Sequence, residues 1–239
     1  MTGPGSCLEG KYGLYNTHIQ DGAALTLDRV TNRLGEYWES EKVSLKPYPT
    51  AHVSHSFIDA LLYLLRSEKV TAEQIDSIIC HVADYMMPLM CEPQQDRALP
   101  QTAAAARVSL AHMLAEAAVF GEISARSFSP ERLNDPLVRT LAQRVSSVID
   151  PDAPGRERFK GWVQIKLKDG REFERVEDFN WGSTDRPMTV EDVQQKFVIN
   201  VAAQMSDVAA GRVAEQVLSL EKTPSLDSLF RSLHQRDHF

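Results

Sequence analysis

Cysteine is scarce: Cys7, Cys80 and Cys91 are an odd set without metal-ligand spacing, which excludes a disulfide framework and points to a reducing compartment. A basic excess is missing too. The net charge is -7 at pH 7, and no basic run interleaved with aromatics offsets it, which argues against general nucleic-acid affinity. No apolar run reaches the roughly 18 residues of a membrane span. Met1 leads straight into the turn-like TGPGS rather than into a basic and apolar leader, so a cytoplasmic chain without a membrane partner is expected. Also absent are a glycine-rich phosphate loop followed by lysine, a G-x-S-x-G elbow, HExxH and paired cysteines, which leaves the common motif-borne chemistries unsupported.

What is present is ordinary globular composition, 43% hydrophobic and 25% charged over 239 residues, enough for one large domain or two small ones. The densest stretch is Lys46 to Leu65, KPYPTAHVSHSFIDALLYLL. Pro47 and Pro49 restrain the residues before them, so Lys46 to Thr50 reads as extended and stiff. From His55 onward Phe57, Ile58, Leu61, Leu62, Leu64 and Leu65 recur at helical spacing, with Ser54 or His55 near the N-cap. A lysine and two imidazoles thus arrive at a helix N-terminus, whose free N–H groups suit an anion such as a carboxylate. Asp59, one turn after His55, is placed to orient the His55 ring and favour its charged form. The plainer alternative is a surface lysine and a polar cap without a ligand.

Residues 1–15 hold four of the twelve glycines and read as a loop with close backbone approaches. So abrupt an opening suggests that material upstream is missing or supplied by another chain. A modest helical pattern follows through Leu25, Leu27, Val30 and Leu34. Thr71 to Gln74 reads as a polar turn and Ile75 to Tyr85 as a strand, with Cys80 and His81 on opposite sides. Met86 to Thr102 reads as a long loop lining a site or covered by a partner, and Ala103 to Phe120 as one helix carrying His112 on its less polar side. Pro136 to Val148 reads as a helix and Pro151 to Gly155 as a linker. In Phe159 to Val176 a three-residue loop, Lys168 to Gly170, opposes Ile165 to Phe173 and Lys166 to Glu172. Thr189 opens a capping-box helix, and two more helices are expected at Asp207 to Leu220 and Leu226 to His234. His234 and His238 fall in a polar tail and read as inert.

Four segments in order, TGPGSCLEGKYGLY, KPYPTAHVSHSFIDA, ARVSLAHMLAEAAVFGE and RPMTVEDVQQKF, together resemble the second half of the MmgE/PrpD family. That family includes 2-methylcitrate dehydratase, cis-aconitate decarboxylase and iminodisuccinate epimerase. The resemblance implies an α+β chain: an inserted α+β lid over residues 43–181, flanked by residues 1–42 and 182–239 of an incomplete all-helical domain. It implies apolar faces left open on the terminal helices, and homo-oligomers. It also implies small di- or tricarboxylate substrates, proton abstraction next to a carboxylate, and neither metal nor cofactor. Lys46 matches the family's lysine in its KPYP segment and His55 the histidine closing it. The decarboxylases carry a histidine where this chain has Ala51, with His52 one place later, and a tyrosine where it has His112. The implied site is Lys46 for substrate binding and His52, His55 and His112 for proton transfer, completed by a missing N-terminal half. The alternative is a non-catalytic fragment or a carboxylate-binding or oligomerisation module.

Overall fold

The computed structural model describes residues 5–19, 28–202 and 204–234, without the side chains of residues 29 and 30. The chain divides into two compact units, Met1–Val43 and Ser44–Phe239. In the first, the glycine-rich opening folds back on itself: the amides of Leu14 and Tyr15 donate to the Cys7 and Leu8 carbonyls, both at 3.0 Å. Helices α1 (Leu14–His18) and α2 (Asp28–Thr31) follow. Of the helical pattern expected here, Leu25, Leu27 and the Val30 side chain lie outside the described residues, and Leu34 is exposed.

The second unit is α+β, as expected. Its centre is helix α3 (His55–Ser67), entered through a tight turn at His52–Ser54. The chain bends over Pro47 to Thr50 instead of running straight, so the prolines shape a corner rather than a rod. Phe57, Ile58 and Leu61 are fully buried, each contributing about 1.5–3 kcal/mol. They face a mixed sheet of β1 (Ile75–Val82), β2 (Val145–Ile149), β3 (Gly161–Leu167) and β4 (Glu172–Glu177), in the order β2-β1-β3-β4. β1 and β2 are parallel, and the other two pairs are antiparallel. Period-2 alternation sends Cys80, Val163 and Ile165 into the core. Neighbouring His81 points the other way and stacks on Trp162 at 3.7 Å between ring centroids.

The hairpin has the expected register, Ile165 opposite Phe173 and Lys166 opposite Glu172, and Gly170 takes the left-handed conformation at φ +90° that closes the three-residue loop. Three other spans differ from their sequence patterns. Met86 to Thr102 is not a loop: it holds a helical turn at Met87–Cys91 and helix α4 (Gln94–Ala98). The helix expected from Ala103 to Phe120 is two, α5 (Ala103–Ala106) and α6 (Leu110–Phe120). Ser109 breaks it by capping the second, accepting the His112 amide at 3.1 Å while its own hydroxyl donates to the Arg97 carbonyl. After α7 (Pro130–Leu133), helix α8 (Pro136–Ala142) stops early. The β-branched run beyond it pairs with β1, since a sheet edge offers a ladder that helix periodicity cannot reveal.

Helices α9 (Val190–Val201), α10 (Asp207–Leu218) and α11 (Asp227–His234) end the described chain. α9 opens with the expected capping box between Thr189 and Asp192. α9 and α10 flank an apolar groove of about 360 Å³ lined by Val190, Val193, Phe197 and Val217 among others. His238 lies outside the described residues.

Candidate functional site

The turn before α3 is pinned from far along the chain. The Leu45 amide donates to the Gly182 carbonyl at 2.8 Å, and Ser44 Oγ donates to the same oxygen at 3.2 Å. Gly182 sits at φ +89°, and a Cβ there would lie 2.3 Å from the Leu45 carbonyl oxygen, so only glycine permits this approach. Asn180, immediately before the crossing, is 4% exposed. Its side-chain nitrogen lies 3.0 Å from His52 Nε2, 3.2 Å from Ser44 Oγ and 3.2 Å from the Trp181 carbonyl.

His52 is half-buried, and its ring lies 4.9 Å from that of His55 and 5.1 Å from that of Phe159. His55 stands behind it with no exposed surface, edge-on to Tyr48 at 5.3 Å, and neither ring nitrogen has a hydrogen-bond partner. Burial, with the charges of His52 and Lys46 adding and the Thr50 backbone opposing, pushes its pKa down to about 3. Burial and then Lys46 also lower that of His52. Both rings are therefore neutral at pH 7. Lys46 is exposed, and its ammonium donates to the Thr50 carbonyl at 3.3 Å.

Asp59 does not orient His55. Its carboxylate accepts from the Tyr48 hydroxyl at 2.7 Å, the Trp181 amide at 3.1 Å and the Arg186 guanidinium at 3.1 Å. Burial raises its pKa, outweighing those bonds, and burial followed by Asp59 raises that of Tyr48. Arg186 also reaches Glu177 at 3.2 Å. The carboxylate thus braces the KPYP corner against the Trp181–Arg186 segment.

The structure brings Lys46, His52 and His55 together. His112 is fully buried in α6, with neither ring nitrogen hydrogen-bonded, and burial followed by Arg139 lowers its pKa to about 4. Among the described residues no ring contact or hydrogen bond links it to His52 or His55. One turn on, Glu116 is also fully buried, 3.3 Å from Arg132, with its pKa raised to about 7 by burial. Cys80 is buried and its thiol pushed well up, unsuited to nucleophilic use. Ser44 and Asn180 escaped sequence reasoning. The bond between Asn180 and His52 spans 128 positions, and no local pattern signals it.

Among the described residues no group of three or more His, Cys, Asp and Glu side chains is placed to hold a metal ion, and no helix is long and apolar enough to cross a membrane. A depression of about 240 Å³ beside the KPYP corner is lined by Pro47, Tyr48, Arg66, Trp181 and Lys196 among others, but not by Lys46, His52 or His55.

Residues 48–222 match the MmgE/PrpD C-terminal domain. The chain is similar to cis-aconitate decarboxylase of Mus musculus, 25% identical over 196 residues, covering 82% of this chain and 40% of that protein. It is also similar to cis-aconitate decarboxylase-like protein oryM of Aspergillus oryzae, 23% identical over 229 residues, covering 91% of this chain and 47% of that protein. Cis-aconitate decarboxylase of Homo sapiens is 25% identical over 169 residues, covering 70% and 35%. The chain spans less than half the length of these relatives.

Proposed function

Because the chain belongs to the MmgE/PrpD family, we propose that its second unit supplies one wall of a lyase site for small di- or tricarboxylates, of the kind cis-aconitate exemplifies. The observation that carries this reading is the pairing of an exposed lysine with a half-buried neutral imidazole at one braced corner, Lys46 beside His52. In this reading the Lys46 ammonium neutralises a substrate carboxylate. His52 meets the substrate, and His55, having no exposed surface, acts through it. The reaction class is loss of a proton next to a carboxylate, followed by loss of carbon dioxide or water or by reprotonation. The opposite wall, and with it turnover, belongs to the part of the relatives' length that this chain does not span.

The test is an NMR titration of the chain with citrate as a tricarboxylate probe and acetate as a control, read at the His52 imidazole. Citrate shifts the His52 signals and acetate does not. Lys46→Ala weakens citrate at least tenfold, about 1.4 kcal/mol. Citrate binding that survives Lys46→Ala undiminished, or no binding at all, defeats the reading.

A further inference from the structure

Three residues on two segments bear on which nitrogen of His52 carries its proton. The atom of Asn180 that lies 3.2 Å from the Trp181 carbonyl oxygen must be the amide nitrogen, because a carbonyl oxygen only accepts. That nitrogen has two protons and no acceptor capacity. Its 3.0 Å contact with His52 Nε2 therefore requires a lone pair on the ring nitrogen, since two N–H groups cannot share one short line. Ser44 Oγ lies 3.1 Å from Nε2, 3.2 Å from Asn180 and 3.2 Å from the Gly182 carbonyl oxygen, so its single proton has two acceptors within reach, Nε2 and that carbonyl. Neutral His52 is then protonated at Nδ1, and among the described residues no group is hydrogen-bonded to that nitrogen.

We propose that Asn180, held by the Trp181 carbonyl, is a positioning residue that locks His52 as the Nδ1–H tautomer, so that the ring offers a substrate carboxylate a hydrogen-bond donor rather than a base. The tautomer rests on these bonds alone. Its use on a substrate rests on the function proposed above. A neutral N–H donor next to a carboxylate stabilises the negative charge that develops on the oxygens as the neighbouring carbon loses its proton. Nε2 is occupied by Asn180 and takes no proton. Lys46 and His55, the charged and titratable groups beside the ring, reinforce its neutrality: the lysine charge opposes an imidazolium, and His55 provides no counter-charge.

The test is ¹⁵N imidazole NMR of the histidine-labelled chain at pH 7.5, with His52 assigned by the signals lost in His52→Gln. The wild type shows a pyrrole-like Nδ1 and a pyridine-like Nε2. Asn180→Asp replaces the donor by an acceptor, so the protein, checked as folded by circular dichroism, shows Nε2–H and a raised His52 protonation midpoint. Asn180→Ala shows a tautomer mixture. A wild-type Nε2–H pattern, or a tautomer unmoved by either Asn180 substitution in a folded protein, overturns the proposal. Added citrate shifts Nδ1 in the wild type. A locked Nδ1–H tautomer indifferent to citrate sinks the carboxylate use and leaves the tautomer standing, so the two failures are distinguishable.

Discussion

Replacing His55 by phenylalanine flattens the acid side of the stability curve. The ring is fully buried without a hydrogen-bond partner, and its pKa is about 3 against an ordinary 6.5. Below pH 6.5 the unfolded chain binds a proton that folded His55 refuses until about pH 3. Its contribution is therefore intact above pH 6.5 and lost as pH falls through that window. At ~1.36 kcal/mol per pH unit the full window amounts to roughly 5 kcal/mol, and the step from pH 6.5 to 5 to about 2 kcal/mol. His112, lowered to about 4, adds to the acid loss. Glu116, raised to about 7 from 4.5, opposes it, because between those values the fold keeps a proton that the unfolded chain releases. Both groups are common to wild type and variant, so the difference isolates His55. Urea unfolding followed by circular dichroism between about pH 7.5 and 5 tests this. The stability gap shifts in favour of His55→Phe by about 2 kcal/mol from pH 6.5 to 5. A repacking cost from the larger ring offsets every pH equally, so a gap that stays constant with pH refutes the reasoning.

Two further outcomes probe a buried ion pair and the crossing at Gly182. Arg132→Met leaves the buried Glu116 carboxyl without the cation 3.3 Å away. Stability falls by about 3–5 kcal/mol at pH 8, where Glu116 is ionised, and by less at pH 6, where it holds its proton. Equal losses in chemical unfolding at the two pH values count against this assignment. Gly182→Ala forces a side chain into φ +89° and against the Leu45 carbonyl, costing about 1–3 kcal/mol. It also detaches Ser44 and Asn180 from His52. Unchanged His52 imidazole signals in that variant show that the crossing does not hold the ring.

Local chemistry is enough to locate several of these elements. The α3 arc of Phe57, Ile58, Leu61, Leu62, Leu64 and Leu65 is buried as its spacing demands, and Thr189 caps its helix with Asp192 through atoms three positions apart. The hairpin register follows from a single glycine and the side-chain pairs beside it. Failures occur where a local preference meets a distant competitor. Val145 to Ile149 leaves the helical pattern because β1 is there to pair with it. Asp59 is four residues from His55 on one helix, a spacing that suggests a partner, yet its oxygens go to Tyr48, Trp181 and Arg186. The helix does place Asp59 one turn from His55, but donors from other segments take its oxygens.

By itself, the sequence determined the α+β class, the apolar helix at the centre, the family, and the presence of a lysine and two histidines at one helix entry. The helix and its entry follow from short-range periodicity and residue order, and the class and family from the resemblance of four ordered segments, none of which needs knowledge of distant contacts. Only the tertiary structure decided that His55 is buried and neutral, that His112 is buried without a bond to its ring, and that Asn180 and Ser44 contact His52. Burial and proton placement depend on which atoms surround a ring, and for His52 one of those atoms, the Asn180 side-chain nitrogen, comes from 128 positions away.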